Sequence, residues 1–136
     1  MGSRRLAREV ALRVLFQVDV GKANAQAALE RSLREVQLPP AQEAFARQLV
    51  EGTLSHLQEI DRLIARFAID WTLERMANVD RNVMRMALFE ILYLKEIPPG
   101  VSINEAVELA KKYGDTESGK FVNGILGNVV RHVQER

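Results

Sequence analysis

Apolar residues recur at three- and four-residue steps along almost the whole chain, and no stretch keeps the two-residue alternation of a half-buried strand. This pattern predicts helices throughout. The first runs from about Arg4 to Val20, with Ser3 as its cap and Gly21 as its stop. The second covers about Ala25 to Val36 and ends before Pro39-Pro40. The third carries Phe45, Leu49, Leu57, Ile60, Ile64 and Phe67 on one stripe from Ala41 to Phe67. At the helical rise it would be ~40 Å long, so a bend near Gly52 is expected. Trp71 to Met76 reads as a short turn or helix.

Asp80 opens the most apolar element, through Val83, Met84, Met86, Leu88, Phe89, Ile91, Leu92 and Leu94. These side chains cover nearly the full helical circumference, which marks a central, buried helix. Pro98-Pro99-Gly100 closes the connection after it. Ser102 and Glu105 then have the spacing of a capping box, so the next helix is expected to begin at Ile103 and to stop at a left-handed Gly114. A last helix, from about Ser118 to Val133, buries Phe121, Val122, Ile125, Leu126, Val129 and Val130. Gly124 and Gly127 on it are expected to admit a close neighbouring backbone. The fold class is all-α.

With 136 residues the chain suits one compact domain, residues 1–136, with room for two small halves around a shared core. Its 47% hydrophobic content is enough for that core. No apolar run is long enough to span a membrane, and the first residues lack the apolar segment of a secretory signal. Leu6 stands where a myristoylation site has Ser or Thr. The absence of cysteine excludes disulfides, thiolate metal sites and cysteine nucleophiles, and the cytoplasm is the expected compartment.

Charge sharpens the picture at one end. The first thirteen residues hold Arg4, Arg5, Arg8 and Arg13 against Glu9, or +3, so the remainder carries −2 of the net +1. A basic end on a slightly acidic body points to an anionic partner at one place. With Arg4 at zero on a helical wheel, Arg8 falls at about 40°, Arg5 at about 100° and Phe16 at about 120°. Leu6, Val10, Val14 and Val18 form the opposite, apolar face. Arginine grips phosphate and stacks on bases, and an exposed aromatic offers a platform for an unpaired base. An RNA-binding face and a solvated first turn both fit the arginines. Phe16, taken alone, reads first as a core residue.

Catalytic chemistry finds little footing. The run Gly114 to Lys120 fits G-x-x-x-x-G-K, but a helix precedes it, Phe121 follows it, and Asp115 and Glu117 would repel phosphate. It reads as an interhelical loop. His56 and His132 are solitary, and the serines lack a nucleophile-elbow context. Arg81, Arg85 and Glu90 read as partnered structural charges, and Glu108 as half of a pair with Lys112. No catalytic, cofactor or metal site is expected, and no enzyme activity.

Four blocks in order resemble the NusB family: Arg4-Arg5-Leu6-Ala7-Arg8-Glu9-Val10-Ala11, the segment 78–90 beginning Asn78-Val79-Asp80-Arg81, the run 101–111 from Val101-Ser102-Ile103-Asn104-Glu105, and Lys120-Phe121-Val122-Asn123-Gly124-Ile125-Leu126. The resemblance implies an all-helical fold of about seven helices in two three-helix bundles. It implies a transcription antitermination factor that binds single-stranded boxA RNA with the small-subunit ribosomal protein NusE. Its context would be RNA polymerase read-through, notably of ribosomal RNA operons. Arg4, Arg5 and Arg8 match the family's arginine-rich RNA-binding opening, and Phe16 a position where Tyr is common. Asp80 matches an acidic position facing RNA and partner. Lys120 and Phe121 complete the RNA surface, and Glu117 the partner surface. Two alternatives stand beside it. One is the NusB-like domain of an RNA cytosine methyltransferase, for which 136 residues leave little room. The other is a helical interaction module that binds no RNA. Monomer and dimer both remain open.

Overall fold

The computed structural model describes the backbone of residues 2–134 and the side chains of residues 4–134. The capping side chain expected at Ser3 lies outside the described residues. Seven α-helices account for most of the chain: α1 (Gly2–Asp19), α2 (Ala25–Glu35), α3 (Pro40–Ser55), α4 (Leu57–Phe67), α5 (Asn78–Tyr93), α6 (Pro99–Tyr113) and α7 (Ser118–Gln134). A single 3₁₀ turn, Leu73–Arg75, precedes α5, and no strand occurs among the described residues. The fold is all-α, as the periodicity predicts. No described helix is long and apolar enough to cross a membrane.

The helices divide into two compact units, three in the unit ending at Ser55 and four in the unit beginning at His56. The helix expected over 41–67 is therefore two helices. The break falls at His56, not at Gly52, which stays helical inside α3. His56 leaves helical geometry (φ −114°, ψ 22°) and its ring stacks 4.0 Å from that of Tyr93. A side-chain contact sets this break, and helical periodicity does not register it.

In the first unit α1 packs on α2 and α3 through Ala7, Val10, Ala11, Val14 and Leu15. Small alanines let the helices approach, which turns the buried stripe away from Leu6, a residue left exposed. Asn24 caps α2, its side chain accepting from the Ala27 N–H at 2.9 Å. Arg47 ties α3 to α2 through Glu30 at 2.5 Å and to its own helix through Glu43 at 3.2 Å. Gly21 does not supply a left-handed stop to α1. Lys22 does, at φ 54°, while a Cβ on Gly21 would meet the Gln17 carbonyl at 2.9 Å.

In the second unit α5 is buried from Asp80 to Ile91 except at Arg85. Its polar side chains are held by named partners. Arg81 donates to the carbonyls of Leu73 (2.8 Å) and Met76 (3.3 Å) and to the Asn78 side chain (2.7 Å). Arg85 grips Asp61 with two bonds of 2.8 and 2.9 Å. Glu90, buried, accepts from the Ser102 hydroxyl at 2.8 Å.

That last bond overturns the capping box. Pro98 and Pro99 start α6 four residues earlier than Ile103, because the fixed φ of proline suits a first helical turn. Ser102 is thus inside the helix and buried, where its hydroxyl serves Glu90. Gly114 is not left-handed either (φ −97°). It is glycine because a Cβ would lie 2.4 Å from the Ser118 hydroxyl and 2.7 Å from the Ala110 carbonyl. The close approach expected at Gly124 and Gly127 is absent: nothing described lies within 4 Å of a Cβ on Gly124, and one on Gly127 would meet an arginine at 3.9 Å. The tighter site on α7 is Gly119, where a Cβ would meet the Lys111 side chain at 3.0 Å. Glu108 lies 3.7 Å from Lys111.

Ser102→Ala removes a hydrogen bond to a buried carboxylate and is expected to cost about 1–2 kcal/mol in urea unfolding. A helix-capping role would instead show as frayed α6 amides in hydrogen exchange, with little global loss.

Candidate functional site

The residues singled out in the sequence fall into two groups, one on each unit. On the first unit, Arg4 and Arg8 are one helical turn apart, and both guanidiniums lie over the ring of Phe45 from α3, at 4.7 and 5.3 Å from its centroid. This shared cation–π contact orients Arg4, which stays exposed beside Arg5. Arg8 corrects the expectation of three guanidiniums on one solvent face, since it is only 3% exposed. The buried stripe extends to Leu15, which lies close to Arg8 around the helix, and so draws Arg8 inward. Phe16 is not in the core. It is 38% exposed, on the helix face that carries Arg5.

On the second unit, Trp71, Arg75, Asp80, Asp115, Glu117 and Phe121 line a concave pocket of about 420 Å³. The loop between α6 and α7 builds one wall. The Asp115 amide donates to the Ser118 hydroxyl (3.0 Å), and the Glu117 amide donates to the Asp115 carboxylate (2.9 Å). Gly114 allows this tight turn, because any side chain there would strike Ser118. The opposite wall comes from the turn leading into α5. There Trp71 meets Phe121 edge to face at 6.1 Å, and the Arg75 guanidinium lies 5.8 Å from the Trp71 ring centroid. Lys120 is exposed on the first turn of α7.

Asp80 is the electrostatic centre of this pocket. It is 6% exposed, and its Oδ1 has no hydrogen-bond partner among the described residues. Burial pushes its carboxyl above the usual carboxylate range, with the negative charge of Asp115 adding to the rise. A hydrogen bond from Ser118 opposes them. That hydroxyl also lies 3.3 Å from an Asp115 carboxylate oxygen, and its one proton cannot serve both acids. A position near the N-terminus of α5 favours the ionised form only in part. No group of described residues could hold a metal ion.

Trp71 and Arg75 are absent from the sequence-derived set. Their signal was the lone tryptophan, in a short segment out of helical phase with its neighbours. Asp80, Glu117 and Phe121 are brought together as expected.

The NusB family profile matches residues 5–131. A transcription antitermination protein NusB of Pelotomaculum thermopropionicum is 56% identical over 135 residues, which cover 98% of this chain and 92% of the relative. Among solved structures, T. maritima NusB is 40% identical with a TM-score of 0.89, covering 94% of this chain and 90% of that one. The crystal structure of antitermination factors NusB and NusE in complex with dsRNA contains a chain 32% identical, with a TM-score of 0.87 over 97% of this chain and 98% of that one.

An aspartate whose folded pKa lies above its unfolded value keeps its proton longer when folded, so ionisation costs native stability. The cost is absent below the ordinary carboxylate range and complete once pH has risen past the raised value. Asp80→Asn keeps an acceptor for Ser118 without the charge. It is therefore expected to raise the Tm at pH 7 and to lose that advantage near pH 3, as read by thermal unfolding at both pH values.

Proposed function

This chain belongs to the NusB family, and from that premise we infer that it is a transcription antitermination factor, which binds RNA together with NusE and promotes read-through by RNA polymerase. It acts as a binding factor and not as an enzyme, in the cytoplasm. Its RNA is a boxA-like single strand, notably in ribosomal RNA transcripts. The observation that carries this reading is the first turn of α1, where Arg4 is held against Phe45 beside an exposed Arg5, with Phe16 exposed further along the helix. Guanidiniums supply phosphate contacts, and an exposed ring supplies a stacking surface for an unpaired base. Arg8 adds charge and holds Phe45 from the other side, so its part is positioning. Lys120 and Phe121 extend the RNA contacts on the second unit, while Asp80 and Glu117 serve NusE, as a carboxylate suits a protein donor better than a phosphate.

Likeness over nearly the full length of a relative named for antitermination favours this reading over a methyltransferase domain. The basic first turn favours it over a module that binds no RNA.

Affinity for a boxA-like single strand is expected to fall with salt. Arg5→Ala should reduce the slope of log affinity against log salt by about 0.7, the share of one phosphate contact. A slope indifferent to Arg4, Arg5 and Arg8 moves the RNA site off α1. Phe16→Leu is expected to weaken binding about tenfold at constant helix content, by loss of base stacking. Unchanged affinity would leave Phe16 without a role in RNA binding.

A further inference from the structure

We propose that the C-terminal halves of α4 and α7 form a second phosphate-binding surface, which holds RNA beyond the boxA-like element through Arg62, Arg66 and Arg131. The proposal rests on the reading of the chain as an RNA-binding factor. It adds a contact that neither α1 nor the pocket supplies.

The charge on this face is left over from folding. α4 carries two acids and two arginines. Both acids turn to α5: Asp61 is held by Arg85 with bonds of 2.8 and 2.9 Å, and Glu59 accepts from the Tyr93 hydroxyl. Arg62 and Arg66, one turn apart and exposed, have no carboxylate within ion-pair distance among the described residues. α7 contributes Arg131 and His132 in its last turn, and no acidic side chain from Ser118 to Gln134. Arg131 is exposed, and its hydrogen-bond partner is the neutral Asn128 side chain. Cations at helix C-termini complement the macrodipole, but that effect fades within the last turn. Arg62 stands outside it.

The guanidinium of Arg66 is also held in place. It lies 3.3 Å from His132 Nε2 and 5.4 Å from the centroid of the Phe67 ring. A guanidinium can only donate, so the imidazole nitrogen accepts, and the bond orients Arg66 without cancelling its charge. Ordering a long side chain in advance removes part of the entropy that binding costs. The rings of Phe67 and His132, half-buried and 5.3 Å apart, stand beside this cation.

A nucleic acid fits this face better than a protein does. Neither α4 nor α7 exposes a large apolar side chain, so the face lacks the anchors that carry a protein interface. Arginine contacts to backbone phosphates need no such anchor, and adjacent rings add stacking without demanding a sequence.

The test compares a boxA-like single strand with the same strand lengthened at one end or the other by a run of uridines. Affinities are read with the full chain over a salt series. At least one extension is expected to tighten binding about tenfold at low salt. It should also steepen the slope of log affinity against log salt by about 2, the share of three phosphate contacts. Arg66→Ala with Arg131→Ala should remove most of that gain and cut the steepening to about 0.7. Affinity for the unextended strand and helix content should stay unchanged in this variant. Arg34→Ala with Lys95→Ala takes the same charge from exposed positions elsewhere and should keep the gain.

No gain from either extension overturns the proposal, as does a gain that survives the loss of Arg66 and Arg131. An equal fall in the two double variants makes the effect one of net charge and overturns it too. Failure of the wild-type chain to bind the unextended strand removes the RNA reading itself, an outcome separate from the others.

Discussion

The apolar circumference of α5 is the constraint on which the second unit depends. A helix with so few solvent-facing positions has to be enclosed, and α4, α6 and α7 all pack against it. Enclosure then obliges each of its polar side chains to find a partner. Arg81 does so on the backbone of the preceding turn, Arg85 on Asp61, and Glu90 on Ser102. Asp80 is the exception, since one of its oxygens stays unpartnered while burial raises its pKa. On α5 the unpartnered oxygen thus sits at the helix start, beside the pocket. Such sites occur where a protein has traded stability for function.

The two units carry opposite chemistry. The first presents arginines ordered by Phe45 and an exposed aromatic ring, which suits a polyanion with unpaired bases. The second presents carboxylates around an indole, which suits a cationic side chain. This division lets a chain of net charge +1 present two surfaces of opposite local character. Neither surface needs a large net charge, because each field is local and falls off within a Debye length of about 10 Å.

Helix identity was legible in the sequence because the 3.6-residue period survives wherever one face is buried. All-α architecture, the central burial of α5 and the rejection of a phosphate loop follow from that period and from local composition. What escaped was set by contacts between elements. The break at His56 comes from stacking on Tyr93, and the role of Ser102 comes from Glu90, twelve residues away. Ser102 and Glu105 have capping-box spacing, yet Pro98-Pro99 had already started the helix. Gly114 looked like a conformational stop and is a steric one. Within the site, Arg4, Arg5 and the cluster of Asp80, Glu117 and Phe121 could be named from resemblance to the family. Arg8 was misplaced because Ala7 and Ala11 were not counted in the apolar stripe. Trp71 and Arg75 escaped because the short connection that carries them has no helical periodicity, and the lone tryptophan was the one signal there.

The pairing of these two chemistries is the central claim, and RNA affinity with and without NusE tests it most directly. A boxA-like single strand is titrated with the chain alone and with the chain saturated by NusE, at one fixed salt concentration. The account predicts that NusE tightens RNA binding about tenfold or more, the size of an ordinary coupling free energy between two ligands. Equal affinity in the two titrations would contradict it.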